Sequence, residues 1–335
     1  RSAELEVRRA CLSVKRFGME VKMENNKKLP KIALGAWAWG NDGTFGGNLT
    51  PDDLRPVFDA AMKAGLNLWD TAYVYGMGAS EEVLGSFLRT VPRESYIISD
   101  KFTPQCADPD AENAVTAMYE TSARLLGTEY IDIYWIHNPV GAPGWVRKLI
   151  PLAKSGKIGR IGLSNHNLAE IREAAAILEK EGLKISAIQN HFSLLNRSSE
   201  TSGILDYCRE NDILFFSYMV LEQGALSGRY DTKHPFPADS DRGAIYNPML
   251  PQLEKLNAGL KEIADRRGVP AAQLPVAWAI AKGTLPIIGV TKTYQVEDAA
   301  GAAKLALTQE EVEEMEHLAG EMPLNVIRGW EKEMK

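Results

Sequence analysis

Apolar and polar positions follow two rhythms along most of this chain. Short, nearly continuous apolar runs occur at Lys31–Trp37, Asn67–Asp70, Tyr96–Lys101, Tyr130–His137, Ile158–Asn165, Ile185–Phe192, Ile213–Val220 and Leu285–Thr291. Runs of that length read as buried strands. Between them the apolar positions recur with helical spacing. Pro51–Ala64 places Leu54, Val57, Phe58, Ala61 and Met62 on one face, and Gly65 follows as a stop. Comparable helices fit Ser80–Leu88, Asp110–Leu126, Leu168–Glu181, Glu200–Asn211 and Ala271–Lys282. Eight strand-then-helix units predict an α/β fold, a (β/α)8 TIM barrel. A doubly wound open sheet is the alternative. Its Gly-rich turn G-x-G-x-x-G is missing after the first run, where Gly40, Gly43, Gly46 and Gly47 do not fit the spacing.

The chain's start reads differently. Arg1–Glu20 is rich in Arg, Lys and Glu and carries no periodic apolar face. Its glutamates argue against a transit peptide, and it has no apolar core for a secretory signal. We expect a non-core, non-native extension there, with one barrel domain over residues 21–335. Asn25-Asn26, at the middle of Lys22 to Ile32, predicts an N-terminal β-hairpin closing one end of the fold.

Composition narrows the partners. With 45% hydrophobic and 24% charged residues, the 335-residue chain can bury a full core. A net charge of −6 disfavours nucleic acid or an anionic membrane as main partner. Cys11, Cys106 and Cys208 form neither a disulfide framework nor a zinc pattern, which points to a reducing cytoplasm. No apolar run approaches the roughly 18 residues of a membrane span. The expected state is a monomer or a weak homo-oligomer acting on a small molecule.

Three of the strand-like runs end in ionisable residues: Asp70, Lys101 and His137, separated by 31 and 36 positions, each one repeat unit. Strand C-termini of such a barrel open on one face, where active sites lie. Tyr75 stands an odd number of residues beyond Asp70, so on a straight strand it would face away. It is therefore expected in a loop that brings its hydroxyl back over Asp70. One such residue alone would read as a cap or a solvated charge; four at consistent strand ends point to a site.

These residues sit in a series of motifs in order. They include Leu34-Gly-Ala-Trp37, Asp70-Thr-Ala-x-x-Tyr75-Gly76, Ser99-Asp-Lys101 and Ile133-Tyr-Trp-Ile-His137. Further on come Gly156-Lys-Ile-Gly-Arg-Ile-Gly-Leu-Ser-Asn165, Gln189-Asn190 and Gly289-Val-Thr-Lys292. From about Leu29 to about Pro323 the chain resembles the aldo-keto reductases, bacterial type. The resemblance implies a carbonyl reductase using a nicotinamide cofactor, with Asp70, Tyr75, Lys101 and His137 as catalytic tetrad. Hydride delivered to a carbonyl carbon leaves charge on oxygen, which needs a proton donor. Tyrosine is too weak an acid near neutrality, and an adjacent Lys101 ammonium is expected to lower its pKa. Asp70 would keep Lys101 charged and aimed, and His137 would orient the carbonyl oxygen. With five histidines and neither His-x-His nor His-Glu-x-x-His, no metal is expected.

By the same resemblance, Ser164, Asn165 and Gln189 hold the nicotinamide carboxamide, and Tyr218 stacks on its ring. Here the chain departs from the family: the usual Ser-Pro-Leu is Met219-Val220-Leu221. Gly224, Leu226 and Ser227 match the loop over the pyrophosphate. Gly289, Val290, Thr291, Lys292, Gln295 and Asp298 match the segment gripping the adenosine half, with Gln295 where relatives often carry arginine. Lys292 and Thr291, with no carboxylate placed for a ribose 2′-hydroxyl, imply NADP over NAD, with NAD possible. Trp37, Trp39, Trp135, Phe192 and Trp330 are pocket-wall candidates, Trp37 and Trp330 the preferred pair for substrate. The segments Asn138–Trp145 and Asp231–Pro251 are expected to be loops shaping the mouth. The rival reading is a cofactor-binding regulatory subunit of the same fold, like a potassium-channel β-subunit, with little turnover.

Overall fold

The computed structural model describes residues 27–322, 324–332 and 334–335. The extension Arg1–Glu20 and the Asn25-Asn26 turn expected in the hairpin lie outside them. Eight parallel strands close a barrel in sequence order: β1 (Ala33–Gly35), β2 (Leu68–Asp70), β3 (Ile97–Phe102), β4 (Ile131–Ile136), β5 (Ile158–Ser164), β6 (Ile185–His191), β7 (Leu214–Tyr218) and β8 (Leu285–Gly289). β1 pairs with β8 to complete the ring, Gly35 opposite Gly289.

Side-chain alternation along these strands decides what enters the lumen. Ala33, Leu68, Ile97, Ile133, Trp135, Ala187, Phe216 and Leu285 form one buried cluster inside the barrel. The larger cluster, including Ile98, Tyr134 and Ile136, lies between barrel and helices. Residues two apart share a face. Leu68 and Asp70, Ile97 with Ser99 and Lys101, Ile133 with Trp135 and His137, and Ala187 with Gln189 therefore stack into the same lumen. The chemistry-bearing residues are the top layer of the barrel core. Trp135 fills the layer beneath, and a Cβ at Gly162 on β5 would come within 2.1 Å of its ring. Only glycine fits opposite that indole.

Several connections differ from expectation. Asn138–Trp145 runs into a helix over Ala142–Lys154, whose buried Val146, Leu149 and Leu152 face the barrel. Its prolines and Gly144 disguise the pattern, although Pro143 sits in the first turn, where proline is tolerated. Within Asp231–Pro251 lies a short helix, Asp241–Tyr246, and Leu250 opens a long one to Arg267. Helices Thr293–Ala302 and Gln309–Gly320 complete the chain before the tail. Glu200–Asn211 is broken into Ser198–Thr201 and Ile204–Glu210 by Gly203, at φ 81°.

Candidate active site

β2 stops at Asp70, and the chain turns at once: Thr71 still bonds the Ser99 carbonyl at 2.9 Å, then Tyr75 N–H closes a turn on the Ala72 carbonyl at 3.0 Å. This loop is seated by two glycines. A Cβ on Gly76 (φ +69°) would lie 2.1 Å from the Gly40 carbonyl oxygen, and one on Gly40 would lie 2.5 Å from Tyr75 backbone. The contact fixes where Tyr75 stands. Its ring stacks on Trp37, 5.5 Å between centres at 20°, and stands 5.9 Å from the His137 ring.

Beneath the ring, Lys101 Nζ lies 5.0 Å from its centre. The ammonium is fully buried and donates to Asp70 Oδ1 at 2.5 Å and to the Thr71 carbonyl at 2.7 Å. Asp70 Oδ2 accepts from the Ser99 hydroxyl at 2.6 Å and the Gln189 amide at 3.1 Å. Trp135 Nε1 donates to that same Ser99 hydroxyl at 2.7 Å. Ser99 and Trp135 thus position Asp70, a role the sequence reading did not assign. Their signal was present in the strand parity.

Electrostatics depart from expectation in one respect. Burial raises the Tyr75 pKa above 10; Lys101 opposes this and Asp70 reinforces it, with the net result upward. The ammonium offsets part of the burial effect and does not reverse it. Lys101 is itself pulled down by burial, but Asp70 and Tyr75 outweigh that and hold it charged above its usual value. His137 is driven well below 6.5 by burial and by Lys101, so it is a neutral imidazole. Its Nδ1 meets the Thr103 hydroxyl at 2.8 Å, which leaves Nε2 for a substrate oxygen. On the outer face of β3, Asp100 is buried with Glu81, Ser122 and Tyr134. Burial and Asp100 push the Glu81 carboxyl up to about 9.

A cleft of about 460 Å³ opens over this layer. Asp70, Tyr75 and His137 line it, with Ser164, Asn165, Gln189, Tyr218, Met219, Leu221, Gly224, Ser227, Gly289, Thr291, Gln295, Asp298, Trp37 and Trp330. Four expected site residues stand elsewhere. Lys101 lies behind the wall. Leu226 and Val290 are buried apolar residues, Val290 carbonyl accepting the Trp39 indole N–H at 2.7 Å. Lys292 is exposed at the start of its helix, outside the lining. Of the wall candidates, Trp39, Trp135 and Phe192 are fully buried core residues.

The residues expected at the nicotinamide carboxamide are tied together. Asn165, at φ 64°, donates to the His137 carbonyl at 3.0 Å and accepts from the Tyr218 hydroxyl at 2.5 Å. The Gln295 side chain caps the start of its helix: its Oε1 accepts from the backbone N–H groups of Thr291 at 2.6 Å and Lys292 at 3.0 Å. The sequence reading missed Phe45, Arg229, Tyr230, Arg242 and Tyr294, which also line the cleft. Phe45, Arg229 and Tyr230 come from long connections, and Arg242 and Tyr294 from the helices Asp241–Tyr246 and Thr293–Ala302, which the sequence pattern did not announce. Arg242 lies within 5.8 Å of the ring centres of Phe45, Tyr230 and Phe236.

A parallel eight-stranded barrel with a buried Lys–Asp pair under a tyrosine and a histidine describes a class of oxidoreductases. The Aldo/keto reductase family profile matches residues 31–319, and the chain belongs to that family. The chloroplastic pyridoxal reductase of Arabidopsis thaliana is 30% identical over 313 residues, covering 89% of this chain and 85% of its own length. Aldo-keto reductase str7 of Strobilurus tenacellus is 31% identical over 306 residues, covering 86% and 88%. Among solved structures, a glycerol dehydrogenase from Gluconobacter oxydans superposes with a TM-score of 0.78 at 25% identity, covering 92% of this chain and 98% of its own. An aldo-keto reductase from Klebsiella pneumoniae in complex with NADPH shares the fold, with a TM-score of 0.70, 24% identity and coverage of 94% and 98%.

Proposed function

We propose that this protein is an NADP-dependent carbonyl reductase that reduces aldehydes, foremost planar aromatic ones, to alcohols. The single observation that carries the reading is the fully buried Lys101–Asp70 pair at 2.5 Å beneath Tyr75, at the floor of the cleft. A fold needing only stability has little reason to desolvate such a pair, whereas an acid–base site does.

Cofactor fit is supported by the lining. Tyr218 offers a ring, Ser164, Asn165 and Gln189 offer amide and hydroxyl partners, and Arg229 and Arg242 bring cations for phosphate. Lys292 is the exposed cation beside the helix N-terminus at Thr293, and we assign it the 2′-phosphate. When bound in this cleft, NADPH would supply the hydride that the carbonyl carbon takes up. The substrate oxygen is held by His137 Nε2, which as a neutral ring can donate one hydrogen bond. Tyr75 then gives its proton to the developing alkoxide. Lys101 stabilises the phenolate this leaves, and Asp70, held by Ser99 and Gln189, keeps Lys101 in place. Trp37 and Trp330 meet at 82° with centres 6.0 Å apart and form an aromatic corner beside Tyr75. That corner, and the names of the pyridoxal reductase and of a putative aryl-alcohol dehydrogenase 28% identical, support planar aldehydes as substrate class.

Among the described residues, no helix is long and apolar enough to cross a membrane. Free Cys106 and Cys208 suit a reducing compartment; the cytoplasm and a plastid stroma meet that equally. The reading is tested with a panel of aromatic and aliphatic aldehydes and ketones, with NADPH and NADH, followed by loss of reduced-nicotinamide absorbance. NADPH-dependent turnover with aromatic aldehydes at the lowest KM is expected. Cofactor binding without turnover on any carbonyl would instead favour the regulatory-subunit reading.

A further inference from the structure

The chain's last stretch crosses the cleft without regular structure. Trp330 stands on it, 55% exposed, near-parallel to Tyr218 at 6.2 Å and edge-on to Trp37. At 55% exposure the indole keeps only part of the burial that fixes a core tryptophan, so its position also depends on how the tail around it is fastened. Val326 and Met334 are buried and anchor the two sides of the span. Between them the fastening is polar.

Arg328, 5% exposed, donates to the Tyr246 hydroxyl at 2.6 Å and to Gln223 Oε1 at 2.8 Å. Tyr246 in turn donates to Glu222 Oε2 at 2.7 Å. Glu222 Oε1 accepts from the Ser193 hydroxyl and from His191 Nε2, the latter at 2.7 Å. The other nitrogen of His191 meets Glu331 Oε2 at 3.0 Å. A continuous buried bridge therefore leaves the tail at Arg328, crosses β6 and the β7 connection, and returns to the tail at Glu331. Trp330 sits between its two ends.

With acceptor-only carboxylates on both ring nitrogens, His191 must carry both protons. Burial alone would discharge it, but Glu222 and Glu331 prevail and raise its pKa to about 10. The bridge then holds two cations, Arg328 and His191, against two carboxylates, Glu222 and Glu331. Buried charge pairs add little net stability compared with apolar packing, and their attested use is to fix one geometry. Here the geometry fixed is that of an exposed aromatic wall.

We infer that the Arg328–Tyr246–Glu222–His191–Glu331 bridge is a specificity device, with His191 and Glu331 as positioning residues. It holds Trp330 at the height where the indole covers the face of a planar aromatic carbonyl substrate. This rests on the reading of the cleft as a reductase site for such substrates. Small aliphatic aldehydes are too short to reach Trp330, so the bridge discriminates between the two classes through KM.

The test uses the full chain and the variants Glu331→Gln, His191→Gln and Trp330→Ala. In the first arm, trypsin cleavage after Arg328 is timed without ligand. Loss of one charged hydrogen bond should speed it about tenfold in Glu331→Gln and His191→Gln, and not in Trp330→Ala, because the fastening is polar. In the second arm, KM and kcat are measured with NADPH for 4-nitrobenzaldehyde and propanal. Glu331→Gln should raise the aromatic KM about tenfold over any change for propanal, with kcat for both largely kept. Unchanged cleavage, or KM values that move together for both aldehydes, overturns the inference. Glu331 lies on the tail, so its variant decides the matter even if His191→Gln does not fold. A wild type that reduces neither aldehyde would overturn the proposed function, while the cleavage arm still decides whether the bridge holds the tail.

Discussion

Replacing Lys101 with methionine isolates charge from packing. Methionine is flexible and similar in length, so the cavity cost is small. The stranded group is Asp70, 3% exposed, which keeps the Ser99 and Gln189 donors and loses the ammonium at 2.5 Å. Removing one partner of a buried pair costs about 3–5 kcal/mol. Two surviving hydrogen bonds place this case at the lower end, about 3 kcal/mol, or a fall in Tm of roughly 4–5 °C for a chain of this size. Adding Asp70→Asn removes the stranded charge, so the double variant should recover about 2 kcal/mol relative to the sum of the single changes. Activity should not follow stability: without the ammonium, the Tyr75 phenolate has no counter-charge, and reduction stays suppressed. Asp70→Asn alone, acting through Lys101, should reduce turnover less than Lys101→Met. Urea denaturation and single-turnover NADPH oxidation on the four proteins measure both quantities. Additive stability losses, or turnover regained in the double variant, would refute the reasoning.

Three further outcomes are expected. Gly76→Ala forces a Cβ to 2.1 Å from the Gly40 carbonyl oxygen at φ +69°, so denaturation should show a loss of about 2 kcal/mol or more, with kcat reduced as the Tyr75 loop shifts. His191 has a folded pKa of about 10 against about 6.5 unfolded, so its contribution is complete below pH 6.5 and is lost as pH rises towards 10, with a slope of at most about 1.4 kcal/mol per pH unit. Glu81, raised to about 9, slopes the same way between about pH 4.5 and 9, and comparing wild type with His191→Gln at pH 7, 8 and 9 separates the two: the variant's decline should be shallower. Lys292→Ala should lower the NADPH-to-NADH affinity ratio about fivefold to tenfold in fluorescence titrations; an unchanged ratio removes Lys292 from 2′-phosphate recognition.

The barrel was legible because each strand is a compact apolar run and each chemistry-bearing residue keeps the parity of a lumen residue: Asp70 with Leu68, Lys101 with Ile97, His137 with Ile133. Tyr75 was placed off the strand by the odd step from Asp70. Less was readable where local chemistry hides periodicity. Pro143, Gly144 and Pro151 obscured the helix from Ala142 to Lys154, and Pro251 marks a helix start where a loop was expected. Trp135 was ambiguous because either face of an α/β strand is buried; only closure of the ring, with Gly162 opposite, puts it in the lumen. The direction of the Tyr75 shift depends on burial summed over several elements, which no motif encodes. The bridge from Arg328 to Glu331 joins residues more than 100 positions apart and left no mark in the pattern.

The most direct measurement is single-turnover reduction of 4-nitrobenzaldehyde by Tyr75→Phe with pre-bound NADPH, beside a titration of NADPH itself. Phenylalanine keeps the ring on Trp37 and removes only the hydroxyl. Hydride transfer should slow about 10²- to 10⁴-fold, with the NADPH dissociation constant within about threefold of wild type. Near-normal hydride transfer in Tyr75→Phe would mean that the proton comes from another group, and would contradict the role given to this tyrosine.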